Sequence, residues 1–157
     1  MATSRVEVRP ATLADLDSLL PLFDAYRQFC RHPSDPERAT AFLRERLEHH
    51  QSAILLAFDG DAPVGFTQLY PSFSSGALAR IYILGDLFVA AEARRRGTGS
   101  ALVTAAARFA RDSGAVRLVL ATAVANTAAH SVYEKLGWKR DTEFHTYKLK
   151  LGKPRNG

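Results

Sequence analysis

Asp86-Leu-Phe-Val-Ala-Ala-Glu-Ala-Arg94-Arg95-Arg96-Gly97-Thr98-Gly99-Ser100 decides how this chain is read. An apolar strand enters a short polar loop. Three arginines follow, then two glycines one residue apart, and a long alanine-rich amphipathic segment starts directly after them. This is a strand–loop–helix in which glycine lets the backbone come close to a ligand at a helix start. A helix N-terminus offers unpaired N–H groups and a partial positive charge, so it binds phosphate-like anions. Arginines beside it add charge-assisted hydrogen bonds to the same kind of ligand. The stretch reads as a pyrophosphate cradle.

Two common cradles do not fit. The dinucleotide fingerprint G-x-G-x-x-G has Gly97 and Gly99 but Leu102 in the third place, and no acid ends the next strand to hold a ribose. The spacing G-x-x-x-x-G-K-[ST] does not occur. What remains is R-x-x-G-x-G on Arg94, Gly97 and Gly99, a pattern that also occurs in plain solvated turns.

The chain has 157 residues, which suits one domain with a full core. Its hydrophobic content of 46% and charged content of 24% are those of a soluble globular protein. No apolar run reaches the roughly 18 residues of a membrane span. Met-Ala-Thr-Ser-Arg-Val-Glu-Val lacks the apolar core of a signal peptide, so a cytoplasmic location is the default expectation. The single Cys30 allows no internal disulfide and reads as a small buried hydrophobe. No histidine pair has metal spacing, so no metal is expected. The net charge of +5 raises nucleic-acid binding. The basic residues are spread along the chain, apart from Arg94–Arg96 and the tail Lys148, Lys150, Lys153 and Arg155. No aromatic–basic alternation of an RNA-binding sheet is visible, so no nucleic-acid partner is expected.

In order, Val6–Arg9 alternates as a short strand. Thr12 and Asp15 form a capping box, and Leu13, Leu16, Leu20 and Phe23 follow at helical spacing. Pro21 inside that pattern should kink or break the helix. Ser34 or Asp35 caps a second helix with Pro36 near its first position and Ala39, Phe42, Leu43 and Leu47 on its buried face. Ala53–Phe58, the turn Asp59-Gly60-Asp61 and Pro63–Tyr70 read as a hairpin. Pro71–Gly76 reads as a serine-rich loop. Ala79–Val89 is a long strand whose Gly85 marks a bulge or a close backbone approach. The helix after the cradle buries Leu102, Val103, Ala106, Phe109 and Ala110 and stops at Gly114. Val116–Thr122 is an apolar run, expected as a central strand. Asn126 or Thr127 caps a short helix through Leu136, with Gly137 just past its end. Trp138 and the alternating Phe144–Leu149 close the sheet. The order β-α-α-β-β-β-α-β-α-β-β gives a mixed α/β sheet in a single domain, 1–157, with a core over roughly 6–150 and a flexible basic tail over 151–157.

A second motif follows the cradle by one helix and one strand: Asn126-Thr-Ala-Ala-His-Ser-Val-Tyr133-Glu-Lys-Leu-Gly-Trp138. It resembles the N-x-x-A-x-x-x-Y-x-K-x-G-F/W segment of the GNAT superfamily of N-acetyltransferases, as R-x-x-G-x-G resembles that family's acetyl-CoA loop. Asn126, Ala129, Tyr133, Lys135, Gly137 and Trp138 match as they stand. The resemblance implies the GNAT fold and acetyl transfer from acetyl-CoA to a primary amine. It assigns the pyrophosphate to the arginines Arg94, Arg95 and Arg96 and to the Arg95–Ser100 amides, Gly97, Thr98 and Gly99 among them. It sets the backbone of Leu87, Phe88 and Val89 along the pantetheine arm and brings Asn126, Ala129 and Lys135 to the cofactor. It makes Tyr133 the acid for the departing thiolate, and it suggests a homodimer paired through the C-terminal strands.

Ile81–Val89 looks most like the diamine (spermidine/spermine) acetyltransferase branch, which carries two adjacent acids here. In this chain Gly85 stands at the first and only Asp86 remains, as the candidate base or an acceptor-binding group. Tyr26 is followed by Arg27 where that branch has an acid. The acceptor groove is expected to draw on Tyr26, Arg27, Phe73, Tyr82, Asp86 and His145. One carboxylate against Arg27 favours a short amine, amino-acid-like or a diamine, over a long polycation. Acetylation of a protein lysine or N-terminus, and a CoA-binding module without catalysis, are the alternatives.

Overall fold

The structure, a computed structural model, describes residues 6–155; the first five residues and the last two of the expected tail lie outside the described residues. The elements are β1 (Val6–Pro10), α1 (Leu16–Phe29), α2 (Pro36–Glu48), β2 (Ala53–Asp59), β3 (Ala62–Ser74), β4 (Ala79–Val89), α3 (Thr98–Asp112), β5 (Leu118–Val119) and α4 (Thr127–Lys135). The sheet order is β1-β2-β3-β4-β5. β1 to β4 pair antiparallel and β5 joins β4 in parallel. Helices α1 and α2 cover one face of the sheet through Leu19, Phe23, Leu43, Leu56 and Phe66. Helix α3 covers the other, packing Ala106 and Ala110 on Leu55, Leu69, Tyr82 and Leu84. Phe66 is fully buried between Phe23 and Tyr26, so Phe66→Ala should cost about 3–5 kcal/mol.

Local signals act where they stand in the sequence. Asp15 accepts from the Thr12 amide at 2.8 Å and holds the turn Leu13–Asp15 that leads into α1. Asp35, with Pro36 behind it, caps α2 by accepting from the Arg38 amide at 3.2 Å. Gly114, at φ 83°, ends α3 as expected.

Several expectations are corrected. Pro21 lies inside α1 without breaking it: one backbone bond is forgone, and the helix is held by its packing on the sheet. Residues 71–74 are strand and not loop; Pro71 pairs with Tyr82 where β3 has run past the end of β2, and there a missing N–H costs no ladder bond on that side. β5 shrinks to Leu118–Val119 and stands at the sheet edge instead of the centre. The two closing strands at Trp138 and Phe144–Leu149 are absent as strands. Residues 139–155 make no backbone–backbone hydrogen bond among the described residues, and alternation alone makes no strand without a partner edge. Cys30 is exposed, because it caps the open end of α1.

The feature that positions the site is the bulge. Gln68 pairs with Asp86 and the next residue, Leu69, pairs with Leu84, leaving Gly85 as the extra residue on β4. Side chains alternate along a strand, so one extra residue reverses the faces beyond it. Tyr82 and Leu84 therefore point to α3, whereas Phe88 packs with the α1 cluster.

Candidate active site

Asp86 sits just past the bulge, among groups from α1 and β3. Gln68 Nε2 donates to Asp86 Oδ2 at 2.5 Å. Gln68 is fully buried, and its Oε1 accepts from Ser52 Oγ at 2.7 Å. Ser52 thereby fixes the amide so that its NH₂ faces the carboxylate. Burial pushes the Asp86 carboxyl above the usual carboxylate range, and the hydrogen bonds from Gln68 and Tyr26 work against that rise. A carboxyl held higher than usual in a cleft is poised to take a proton. The Tyr26 hydroxyl reaches the Gly85 carbonyl at 3.4 Å, and burial, with the Asp86 charge beside it, raises its own pKa. Burial and Asp86 raise Tyr70 in the same way.

Gly85 has a steric reason. A β-carbon there would stand 2.7 Å from Tyr70 Cδ2, so the Tyr70 ring occupies the space of any side chain. A side chain at this position would require the Tyr70 ring to move.

Asp86 forms the floor of a cleft of about 320 Å³, with Tyr26, Tyr70, Phe23 and Phe42 as aromatic walls and Arg27, His32 and Arg38 among the other lining groups. Of the expected acceptor residues, Tyr26, Arg27 and Asp86 meet here. Tyr82 does not: it is buried against Phe109 at 5.8 Å on the α3 face, on the other side of the parity change at Gly85. Phe73 lies exposed beside Arg80, and His145 is exposed on the unpaired C-terminal segment. Gln68, Ser52, Tyr70, His32 and Arg38 were not anticipated. The available signal was the polar Gln68 inside the apolar run Val64–Tyr70, in phase with Phe66 and Tyr70.

The cradle stands at the start of α3. Gly97 is its N-cap, at φ 81°, a left-handed conformation that a side chain adopts only with strain. A β-carbon on Gly97 would meet nothing within 4 Å, so the space over the helix start is open. The first amides of the helix, at Thr98, Gly99 and Ser100, have no intrahelical acceptor, and glycine offers no side chain to cap them. Among the described residues β4 has no partner on its β5 side beyond Ile83, which leaves that edge of Leu87, Phe88 and Val89 without a strand. These groups fit a pyrophosphate followed by an extended amide-bearing arm. Arg95 and Arg96 are exposed at the cradle. Arg94 turns back: its Nε donates to the Val89 carbonyl at 3.0 Å, and its guanidinium lies 5.6 Å from the rings of both Phe29 and Phe88.

On α4, Asn126 caps the helix by accepting from the Ala129 amide at 3.3 Å, which gives Asn126 a structural role. Lys135 is exposed in the last turn. Tyr133 is half-buried, its ring 5.8 Å from Trp138, and burial raises its pKa. It does not line the Asp86 cleft.

The sequence pattern of the acetyltransferase (GNAT) family matches residues 16–138. The chain belongs to the GNAT acetyltransferase family. It is 46% identical over 146 residues to the uncharacterized N-acetyltransferase YhfO of Bacillus subtilis, covering 93% of this chain and 98% of that one. The crystal structure of a probable acetyltransferase superposes with a TM-score of 0.89 at 43% identity, covering 94% and 99% of the two chains. An aminoglycoside N-acetyltransferase in complex with CoA shares the GNAT fold at a TM-score of 0.77 and 21% identity, over 94% and 97% of the chains. The mixed sheet flanked by helices is thus that of GNAT acetyltransferases, and the protein is an acyltransferase of that type using acetyl-CoA. Among the described residues no helix is long and apolar enough to cross a membrane, and no three His, Cys, Asp or Glu side chains gather as a metal site.

Proposed function

We propose that this GNAT protein moves an acetyl group from acetyl-CoA to the primary amine of a small metabolite, amino-acid-like or a diamine, by direct attack in a ternary complex. The observation that carries this reading is Asp86, half-buried past the bulge in a small aromatic-walled cleft and held by Gln68. When bound, acetyl-CoA supplies an activated acetyl thioester. The amides at the start of α3, with Arg95 and Arg96, hold its pyrophosphate, and Leu87–Val89 offers backbone to its arm. An amine of lysine type has a pKa near 10.4 and arrives as an ammonium ion. Asp86 takes its proton, so the nitrogen lone pair is free to attack. Tyr133, kept protonated by burial, is assigned as the donor to the departing sulfur. A cleft of about 320 Å³ suits a small acceptor better than a folded protein surface.

The C-terminal segment supports a homodimer. Residues 139–155 run without backbone partners and expose Phe144, Tyr147, Leu149 and Leu151, while β5 leaves one sheet edge unpaired. An unpaired apolar segment and a free sheet edge on the same chain are satisfied by a second copy. The transfer reading is tested by thiol release from acetyl-CoA over a panel of amines, with acetylated product identified by mass. Release that needs an amine is expected; a raised melting temperature with acetyl-CoA but no release from any amine would leave only a CoA-binding module.

A further inference from the structure

The mouth of the Asp86 cleft is basic and its floor is acidic. Arg27, His32 and Arg38 line it, and Asp86 is the one carboxylate among its lining groups. The rim is fixed in place. Asp24 accepts from Ser34 Oγ at 2.6 Å and from the Asp35 amide at 3.0 Å, and Arg27 Nη1 donates to the Pro33 carbonyl at 2.9 Å. Those bonds pin the loop of residues 32–35, which carries His32, against α1 and set the start of α2, which carries Arg38. Arg27 and Asp24 are thus engaged in holding the loop. Arg38 is not: its side chain is 65% exposed and its ion-pair contact is Asp35 at a long 3.7 Å. The His32 side chain makes no hydrogen bond among the described residues. Phe23 and Phe42 line the same cleft, stacked with centroids 6.0 Å apart.

Resting on the transfer function above, we infer that the acceptor is an amino carboxylate, with its ammonium on Asp86, an apolar or aromatic body along Phe42 and Phe23, and its carboxylate at Arg38 and His32. A guanidinium donates two parallel hydrogen bonds to a carboxylate, which fixes the far end of the acceptor and aims its nitrogen at the floor. A polyamine meets the opposite arrangement, because its second cation would lie against the basic rim. Arg38 is then the specificity residue of the site.

Four acceptors separate the choices: para-(aminomethyl)benzoate, its carboxamide, benzylamine and spermidine, each assayed by thiol release. The acid should exceed the amide in kcat/KM by about tenfold or more, since only the acid carries the anion. Arg38→Gln, exposed and checked for folding by the melting shift with acetyl-CoA, should bring the acid-to-amide ratio close to one, mainly through KM. An amide or benzylamine as good as the acid, spermidine as the best acceptor, or an unchanged ratio in Arg38→Gln and in the Arg38→Gln/His32→Gln pair overturns the inference while transfer to an amine stands. No release with any amine overturns both.

Discussion

Gln68 Nε2 donates to Asp86 Oδ2 at 2.5 Å, across a register pair of β3 and β4 that the bulge at Gly85 creates. Without the extra residue, Asp86 would share a face with Tyr82 and point at α3. The bulge turns it towards α1 and α2, opposite a glutamine whose own orientation is set by Ser52. Carboxylate, bulge and buried amide form one hydrogen-bonded unit.

Gln68→Leu should expose that device. The Gln68 hydrogen bond opposes the rise that burial imposes on the Asp86 carboxyl, so removing it moves the carboxyl still higher. The acid limb of the kcat/KM profile then moves to higher pH. Folding loses about 1–3 kcal/mol, because the Ser52 hydroxyl and the buried carboxylate are each left short of a partner. Titration of kcat/KM and urea unfolding read the two effects; an unmoved acid limb would sever Gln68 from Asp86.

Asp86→Asn should stabilise the fold at neutral pH. The folded carboxyl titrates above its unfolded value. The folded state therefore holds the proton longer, and that contribution is complete below the unfolded pKa and lost as pH rises through the folded one. An asparagine does not ionise, so its melting advantage over the native chain should be small at pH 4 and grow by pH 8. In a chain of this size each kcal/mol corresponds to about 2–4 °C. A melting difference that shrinks with rising pH would mean that burial does not dominate at Asp86.

Gly97→Val should abolish the response to acetyl-CoA. The position has a positive φ, and the space above it, open in the free chain, is where the pyrophosphate is assigned. The native protein at a ligand concentration of about 100 times Kd gains roughly 2.7 kcal/mol of stability. The variant should show no shift in a thermal melt. A full shift would move the cofactor elsewhere.

Leu149→Asp with Leu151→Asp should yield a monomer. Both side chains are more than 80% exposed on the unpaired C-terminal segment, so the free chain loses little by the change. Light scattering should give two copies for the native chain and one for the variant. A native monomer at high concentration would end the pairing proposal.

The legible parts of the sequence were those whose causes are local. Asp35 with Pro36, the Asp59–Asp61 turn, Gly97 and Gly114 each set a boundary through their own backbone chemistry, and the two motifs carried the family. Gly85 was legible as a bulge, but its consequence was not. That Tyr82 and Asp86 part company depends on which residue of β3 opposes which of β4. Gln68 was missed for the same reason, since only the pairing makes it a partner of the carboxylate. His145 failed because its alternation promised a wall that no neighbouring strand provides, and Phe73, read as loop, stands on β3 opposite Arg80 and projects to solvent. Arg94 matched its motif and yet folds back onto Val89, a contact set by Phe29 and Phe88 from distant elements.

The most direct test of acetyl transfer through Asp86 is the pH profile of acetyl-CoA thiol release, with the best amine, for the native chain and for Asp86→Asn. The native profile should show an acid limb above the ordinary carboxylate range. The variant should bind acetyl-CoA, lose that limb and fall by about a hundredfold or more in kcat/KM at neutral pH, the usual contribution of a positioned base. Superimposable profiles at equal rates would contradict the account, because the proton would then leave the amine without Asp86.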